Sequence, residues 1–288
     1  MRVLCKRQDL FEEIQEAFSV DNPQAFFSQQ YGYKGQPKLL AVNKFGYFAP
    51  GLVFEVLEWI KLHYGDLQLV AISSKCQAYI KDVLTPLKSF KFTKISNVAE
   101  DTGRNNELRR LREKQLAEGV PEKECAMPFE FRGYQEEAIR HLLSSGYGRG
   151  LIEIPTAGGK SLILANFIWN IWKGVDRSFK TLLLVPNVQL VHQFQKDLVD
   201  YGFDKRDIAK FTGGMTKKEI AENDLEKAKI VIANRQQVFK NPAKLPDFDV
   251  LICDEVHQAA AEATRDFIDK CKAKIKIGCS GTLPKGKF

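Results

Sequence analysis

The chain has 288 residues, 44% of them hydrophobic and 27% charged, with a formal net charge of +7 and a pI near 9.0. These proportions exclude a disordered, fibrous or collagen-like polymer. No run approaches the roughly 18 apolar residues that cross a bilayer. The positive balance permits a polyanionic partner without demanding one.

The opening stretch MRVLCKRQDLFEEIQ carries acids and amides where an export signal needs an apolar run, so an intracellular protein is expected. DLFEEIQEAF (9–18) sets apolar residues at 10, 11, 14, 17 and 18, one face of a helix. LLAVNKFGYFAP (39–50) reads as a strand turning through Asn43 to Gly46 into a second one. GLVFEVLEWIKLHY (51–64) is an amphipathic helix stopped by Gly65. LQLVAI (67–72) reads as a strand, and SSKCQAYIKDVLTPLKS as a helix that Pro86 breaks or caps. The expected sum is a small α+β domain over residues 1–100.

Residues 101–126 are mostly charged, with Leu108, Leu111 and Leu116 as their apolar line. They read as a helical connector, the alternative being a surface helix of one continuous domain. From 127 to 288 the pattern changes. LIEI (151–154), TLLLVP (181–186), KIVIAN (229–234), DVLICDE (249–255) and KIKIGCSG (274–281) alternate with helix-length amphipathic segments. Near-continuous β-rich runs between helices fit a doubly wound parallel sheet buried on both faces, an α/β fold. The six cysteines (Cys5, Cys76, Cys125, Cys253, Cys271 and Cys279) include no CxxC pair and read as reduced thiols.

IPTAGGKS (154–161) lies between the run LIEI and the helix SLILANFIWNIW. A glycine-rich turn over Pro155 to Gly159 entering a helix lets the backbone N–H groups after the proline surround a phosphate chain. Lys160 would reach the β- and γ-phosphates, and the Ser161 hydroxyl would bind Mg²⁺. The first glycine of the usual phosphate-loop pattern is replaced by Ile154. Asp254 and Glu255 close an apolar strand, the edge where α/β folds hold ligands. There an acid holds Mg²⁺, and a second acid orients and deprotonates water.

With these residues assembled, the chain resembles the superfamily-two helicases. IPTAGGKS is similar to motif I, DEVH to motif II, and Ser280-Gly281-Thr282 to motif III. FRGYQEEAI (131–139) is similar to the adenine-recognition element, with Gln135 as base reader and Arg132 beside it. VPNVQLVHQF, FTGG and IVIANRQQV are similar to motifs Ia, Ib and Ic. The resemblance covers 129–284 and implies a RecA-like first motor domain using ATP and Mg²⁺. Its ATP-binding set is Arg132, Gln135, Pro155, Thr156, Ala157, Gly158, Gly159, Lys160 and Ser161, with Asp254 and Glu255 as catalytic acids. His257, Ser280 and Thr282 would couple the γ-phosphate to strand movement. Asn187, Gln189, Thr212, Gly213, Gly214, Asn234, Arg235 and Gln236 would touch the nucleic-acid backbone.

The implied activity is an ATP-dependent DNA helicase on branched DNA: fork regression, Holliday junction migration, R-loop or D-loop unwinding. A double-strand translocase and an ATP-independent annealing module remain as alternatives. The implied partners are branched or single-stranded DNA, or an RNA–DNA hybrid, and a single-strand-binding or recombination protein, with no membrane. Over the whole string the likeness extends to phage recombination helicases, which puts the expected location in the host-cell cytoplasm. The family's arginine finger sits in a second motor domain carrying motifs IV to VI. A chain ending at Phe288 is therefore expected to be the N-terminal part of a longer helicase, poor at turnover alone. Residues 32–97 hold nine Lys and no Arg against four acids, so Lys34, Lys38, Lys44, Lys88, Lys91 and Lys94 suggest an accessory nucleic-acid surface.

Overall fold

The computed structural model describes residues 3–5, 8–21, 38–40, 53–65, 70–72, 95–144, 148–155, 157–257 and 262–281. Two compact units emerge. One takes in Met1–Pro86, Tyr147–Arg149 and Pro284–Phe288, the other Leu87–Gly146 and Gly150–Leu283.

The first unit runs β1 (Val3–Cys5), α1 (Gln8–Ala17), β2 (Ser19–Asp21), β3 (Lys38–Leu40), α2 (Val53–Tyr64) and β4 (Val70–Ile72). β1 pairs antiparallel with β4, and β2 with β3. Leu10 and Ile14 of α1 and Val56 and Ile60 of α2 are fully buried. Each pair is four residues apart, the spacing that aligns side chains on one helical face. α2 closes where expected, with Gly65 at φ 68° and its N–H donating to Lys61 O. The expected turn at Asn43–Gly46, the helix at 73–89 and most of the lysine surface lie outside the described residues.

The second unit opens with α3 (Val98–Asp101), α4 (Arg104–Ala117) and α5 (Gly133–Ser144). Then come β5 (Arg149–Glu153), α6 (Lys160–Gly174), β6 (Thr181–Val185), α7 (Val188–Asp200) and β7 (Ile208–Phe211). α8 (Lys217–Glu222), β8 (Ile230–Asn234), α9 (Arg235–Lys240), β9 (Val250–Asp254), α10 (Glu262–Lys270) and β10 (Ile275–Ser280) complete it. The sheet order is β5-β10-β9-β6-β8-β7. The pairs β10–β9, β9–β6, β6–β8 and β8–β7 are all parallel. The chain leaves β5 at one edge of the sheet, crosses over β10 and β9, and enters β6, which puts the loop at 154–159 at the carboxyl ends of the strands beside β10. Ligands of open α/β sheets bind outside the carboxyl ends of the strands.

Every residue of β6, β8 and β9 is buried. Leu182, Leu184, Val231, Ala233, Leu251 and Cys253 face one way, into a cluster with Phe239 and Phe267 from α9 and α10. The intervening Leu183, Ile232 and Ile252 are equally buried and face the opposite layer. Each such side chain contributes about 1.5–3 kcal/mol by leaving water. β7 was not among the expected strands. It sits at the sheet edge and carries Lys210, only 9% exposed, whose Nζ lies 2.7 Å from Glu219 Oε1. The Lys210 ammonium pulls the Glu219 carboxyl down to about 2.

The segment expected as a connector is anchored to this unit at its start. Asn105 is wholly buried, accepts from Phe129 N at 2.8 Å and donates to Glu100 Oε1 at 2.7 Å. Farther along α4, Leu111 and Leu116 face solvent. Just upstream, two buried asparagines one turn apart on α6 receive the incoming chain. Val98 N donates to Asn166 Oδ1 at 2.8 Å and Ser96 N to Asn170 Oδ1 at 2.9 Å.

Candidate nucleotide site and its surroundings

The loop between β5 and α6 is fastened from behind, where Ile154 N donates to Ser280 O of β10 at 2.9 Å. Gly158 N donates back to Pro155 O at 2.9 Å, curling the chain into a cradle. Gly159 caps α6 at φ 75° with no side-chain acceptor, so the first-turn N–H groups are left for a ligand. A Cβ on Gly158 would lie 2.6 Å from Ile154 Cγ2, and one on Gly159 would run into Gln135 Nε2. The cradle therefore requires both glycines. Ala157 sits at φ 65°. Thr156 lies outside the described residues.

Gln135 is buried and joins the adenine-type element to the cradle. Its Oε1 accepts from Arg132 N at 2.9 Å, and its Nε2 donates to Gly158 O at 3.1 Å. Tyr134 OH donates to the same carbonyl at 2.8 Å, a tie the sequence did not announce. Arg132 stays at the surface, with Nη1 3.4 Å from Tyr134 OH.

Lys160 bridges the two acids, with Nζ 3.3 Å from Asp254 Oδ1 and in direct contact with Glu255 Oε1. The other oxygen of Glu255 meets motif III. Oε2 is 3.3 Å from His257 Nδ1, and accepts from Ser280 Oγ at 3.4 Å and Gly281 N at 3.5 Å. His257 Nδ1 is also 2.7 Å from Ser280 Oγ. Burial alone would raise the Glu255 pKa, but the Lys160 hydrogen bond and charge outweigh it and hold the carboxyl below its ordinary value. Burial likewise works against the charge on Lys160, and the two acids overcome it, leaving the ammonium above its usual range. Asp254 is buried and accepts from the Cys279 thiol at 3.3 Å. Thr282 lies outside the described residues.

Ser161 is turned elsewhere. Its Oγ is 2.8 Å from Tyr201 OH, at the far end of α7. Burial raises the pKa of Tyr201 and of Asp197, one turn earlier on the same helix. Forty residues separate Ser161 from Tyr201, so no local pattern could have paired them.

The family model for the type III restriction enzyme res subunit, ResIII, matches residues 128–285. The chain belongs to this family of superfamily-two helicase domains. Two curated relatives agree with the placement. The ATP-dependent DNA helicase uvsW of Enterobacteria phage T4 is 32% identical over 160 residues, 54% of this chain. The putative ATP-dependent helicase IRC3 of Saccharomyces cerevisiae is 26% identical over 181 residues, 57% of this chain. The chain spans 30% and 25% of the lengths of these two proteins. A crystal structure of the UvsW helicase from bacteriophage T4 superposes with a TM-score of 0.58, covering 98% of this chain and 88% of the other. Identity there is 22%, so that likeness speaks for the fold alone.

Within the ResIII domain, the residues expected to meet nucleic acid lie at the ends of β6, β7 and β8. Asn187 Oδ1 accepts from Leu190 N at 2.9 Å and Asn234 Oδ1 from Gln237 N at 3.0 Å, so each caps the helix that follows its strand. Gln189, Gly213, Gly214 and Gln236 are exposed, while Thr212 is buried. Arg235 is not at the surface. It is 7% exposed, and its Nη2 donates to the carbonyl oxygens of Asp254 and, at 2.8 Å, of Glu255. Among the described residues no helix is long and apolar enough to cross a membrane.

Proposed function

We propose that this chain is the nucleotide-binding motor domain of an ATP-dependent DNA helicase that acts on branched DNA. The observation that carries the reading is Lys160 held between Asp254 and Glu255 directly before the glycine cradle. A partly buried cation poised on two acids can exchange them for phosphate oxygens. The residues fit ATP and Mg²⁺: a backbone cradle at a helix start, a lysine, a strand-end aspartate and a hydroxyl. Bound Mg²⁺ neutralises charge on the β- and γ-phosphates.

On binding, Lys160 exchanges its carboxylate partners for phosphate oxygens, which frees Glu255 Oε1 to take a proton from water. Losing that ammonium lets the Glu255 carboxyl rise toward its ordinary pKa, making it a better base. Ser161 and Asp254 would be the residues to hold the Mg²⁺, with the Ser161 hydroxyl released from Tyr201. Gln135 and Arg132 flank the adenine, with Gln135 keeping one N–H and one lone pair beyond its present bonds. Glu255, His257 and Ser280 form a continuous chain from the γ-phosphate position into motif III. DNA as substrate is supported by the name of the phage relative. Fork regression, junction migration and D-loop or R-loop unwinding are the tasks proposed for it, inside the cell, with the small first unit adding nucleic-acid contacts.

The test is ATP hydrolysis with and without single-stranded and forked DNA, with Lys160→Ala as control. DNA stimulation abolished by that substitution is expected. Nucleotide binding indifferent to Lys160, or hydrolysis indifferent to DNA, would overturn the reading.

A further inference from the structure

Arg235 stands apart from every role the motifs suggest. It is the first residue of α9, where a cation opposes the helix dipole, and it is buried, where a cation needs acceptors. Its strand, β8, is not a neighbour of β9, because β6 lies between them. Two strand spacings, about 9–10 Å, separate the ends of β8 and β9. Only a long side chain crosses that gap, and Arg235 does, ending on the carbonyls of Asp254 and Glu255. In extended chain, successive carbonyls point to opposite sides. Here one nitrogen reaches both, because Glu255 leaves the strand at φ 49°, a left-handed conformation that a glutamate rarely adopts.

We infer that Arg235 is a positioning residue for Glu255: its guanidinium clamps the two carbonyls and so fixes the left-handed turn that aims the Glu255 carboxylate. Without the clamp the Glu255 backbone loses its tie to Arg235 and is freer to relax toward ordinary geometry, with only the side-chain contacts of Glu255 left to hold it. Relaxation would swing the carboxylate away from Lys160 on one side and from Ser280 and Gly281 N on the other. Arginine suits the task, since its guanidinium stays charged and a single terminal nitrogen carries two N–H donors, one for each carbonyl, whereas lysine is shorter. The inference rests on the reading of Glu255 as the base, and it concerns geometry that exists without nucleotide.

The experiment compares the full chain with its Arg235→Met and Arg235→Lys variants. Nucleotide affinity is read with a fluorescent ATP analogue, turnover by phosphate release, and the backbone of Glu255 by three-bond HN–Hα coupling in selectively labelled protein. Arg235→Met is expected to leave affinity within about twofold while lowering turnover about tenfold or more, a split that marks loss of transition-state alignment. Arg235→Lys, able to hold at least one carbonyl, recovers part of the rate. The coupling of Glu255 moves off its left-handed value in the Met variant. An unchanged coupling would overturn the inference, as would affinity and turnover falling together by the same factor. If the unsubstituted chain binds no nucleotide, the proposed function fails, and the coupling measurement still decides the role of Arg235.

Discussion

The two halves of the sheet's carboxyl edge are built differently. At the ends of β5, β9 and β10, side chains from distant segments converge: Lys160 meets Asp254 and Glu255, and Glu255 meets His257, Ser280 and Gly281. At the ends of β6 and β8, Asn187 and Asn234 turn back onto their own loops as helix caps, Gln189 and Gln236 face solvent, and Arg235 alone of the residues named there reaches across to β9. The phosphate chemistry proposed for the first half would need charged groups held against one another before a ligand arrives, and these side chains are so held. Contact with a sugar–phosphate backbone needs only donors facing solvent, and these show no preassembly.

The sharpest way to break this comparison is Glu255→Gln. The amide keeps the size of the side chain but cannot accept a proton from water. Turnover is expected to fall by about 10²–10⁴-fold, with nucleotide affinity nearly unchanged. A loss of only a few-fold in phosphate release would mean that the base lies elsewhere on this edge.

Lys160→Ala comes next. It removes a charge-assisted contact worth about 1.5–3 kcal/mol, so nucleotide affinity should drop roughly 10- to 100-fold. The same substitution carries a pH signature. With Lys160 present the folded-state pKa of Glu255 lies below its unfolded value. Its stabilisation is therefore complete above the ordinary carboxylate pKa and disappears as pH falls through the folded one. The melting-temperature gap between the parent chain and Lys160→Ala should narrow on going from pH 7 toward pH about 4. A gap that widens toward acid would contradict the ion pair.

Gly159→Ala tests the cradle itself. The position has φ 75° and faces Gln135 Nε2, so an added methyl is strained in backbone and in space. The backbone term alone is about 1–2 kcal/mol, a loss of several degrees in melting temperature for a unit of this size. An unchanged melting curve would show that Gln135 does not hold the loop.

The convergent half was also the more legible. IPTAGGKS and DVLICDE announce themselves because a glycine turn or an acid pair at the end of an apolar run has few other uses. Five of the strands in the large sheet were readable as apolar runs. β7 was not, since Lys210 interrupts IAKF and its neutralising partner Glu219 lies in another element. Arg235 in IVIANRQQV looks like a phosphate contact in one dimension. Only the strand order brings the end of β8 within reach of β9 and turns that guanidinium inward. Ser161 with Tyr201 follows the same rule, a pairing made by helix packing and by nothing local.

On the open half the expected effects are small and separable. Gln189 and Gln236 are exposed and have neutral side chains. Replacing both with Ala should weaken single-stranded DNA binding by roughly two- to five-fold in fluorescence anisotropy, about 0.4–1 kcal/mol, without altering the salt slope, because no phosphate charge is neutralised. Melting temperature should not move. Asn187→Ala should do the reverse, costing about 1 kcal/mol of stability through the lost cap and little affinity. If instead Asn187→Ala weakens DNA binding more than the double glutamine replacement does, the cap is released when a strand binds. The open half would then be preassembled in its own way, with Asn187 holding the helix until phosphate takes its place.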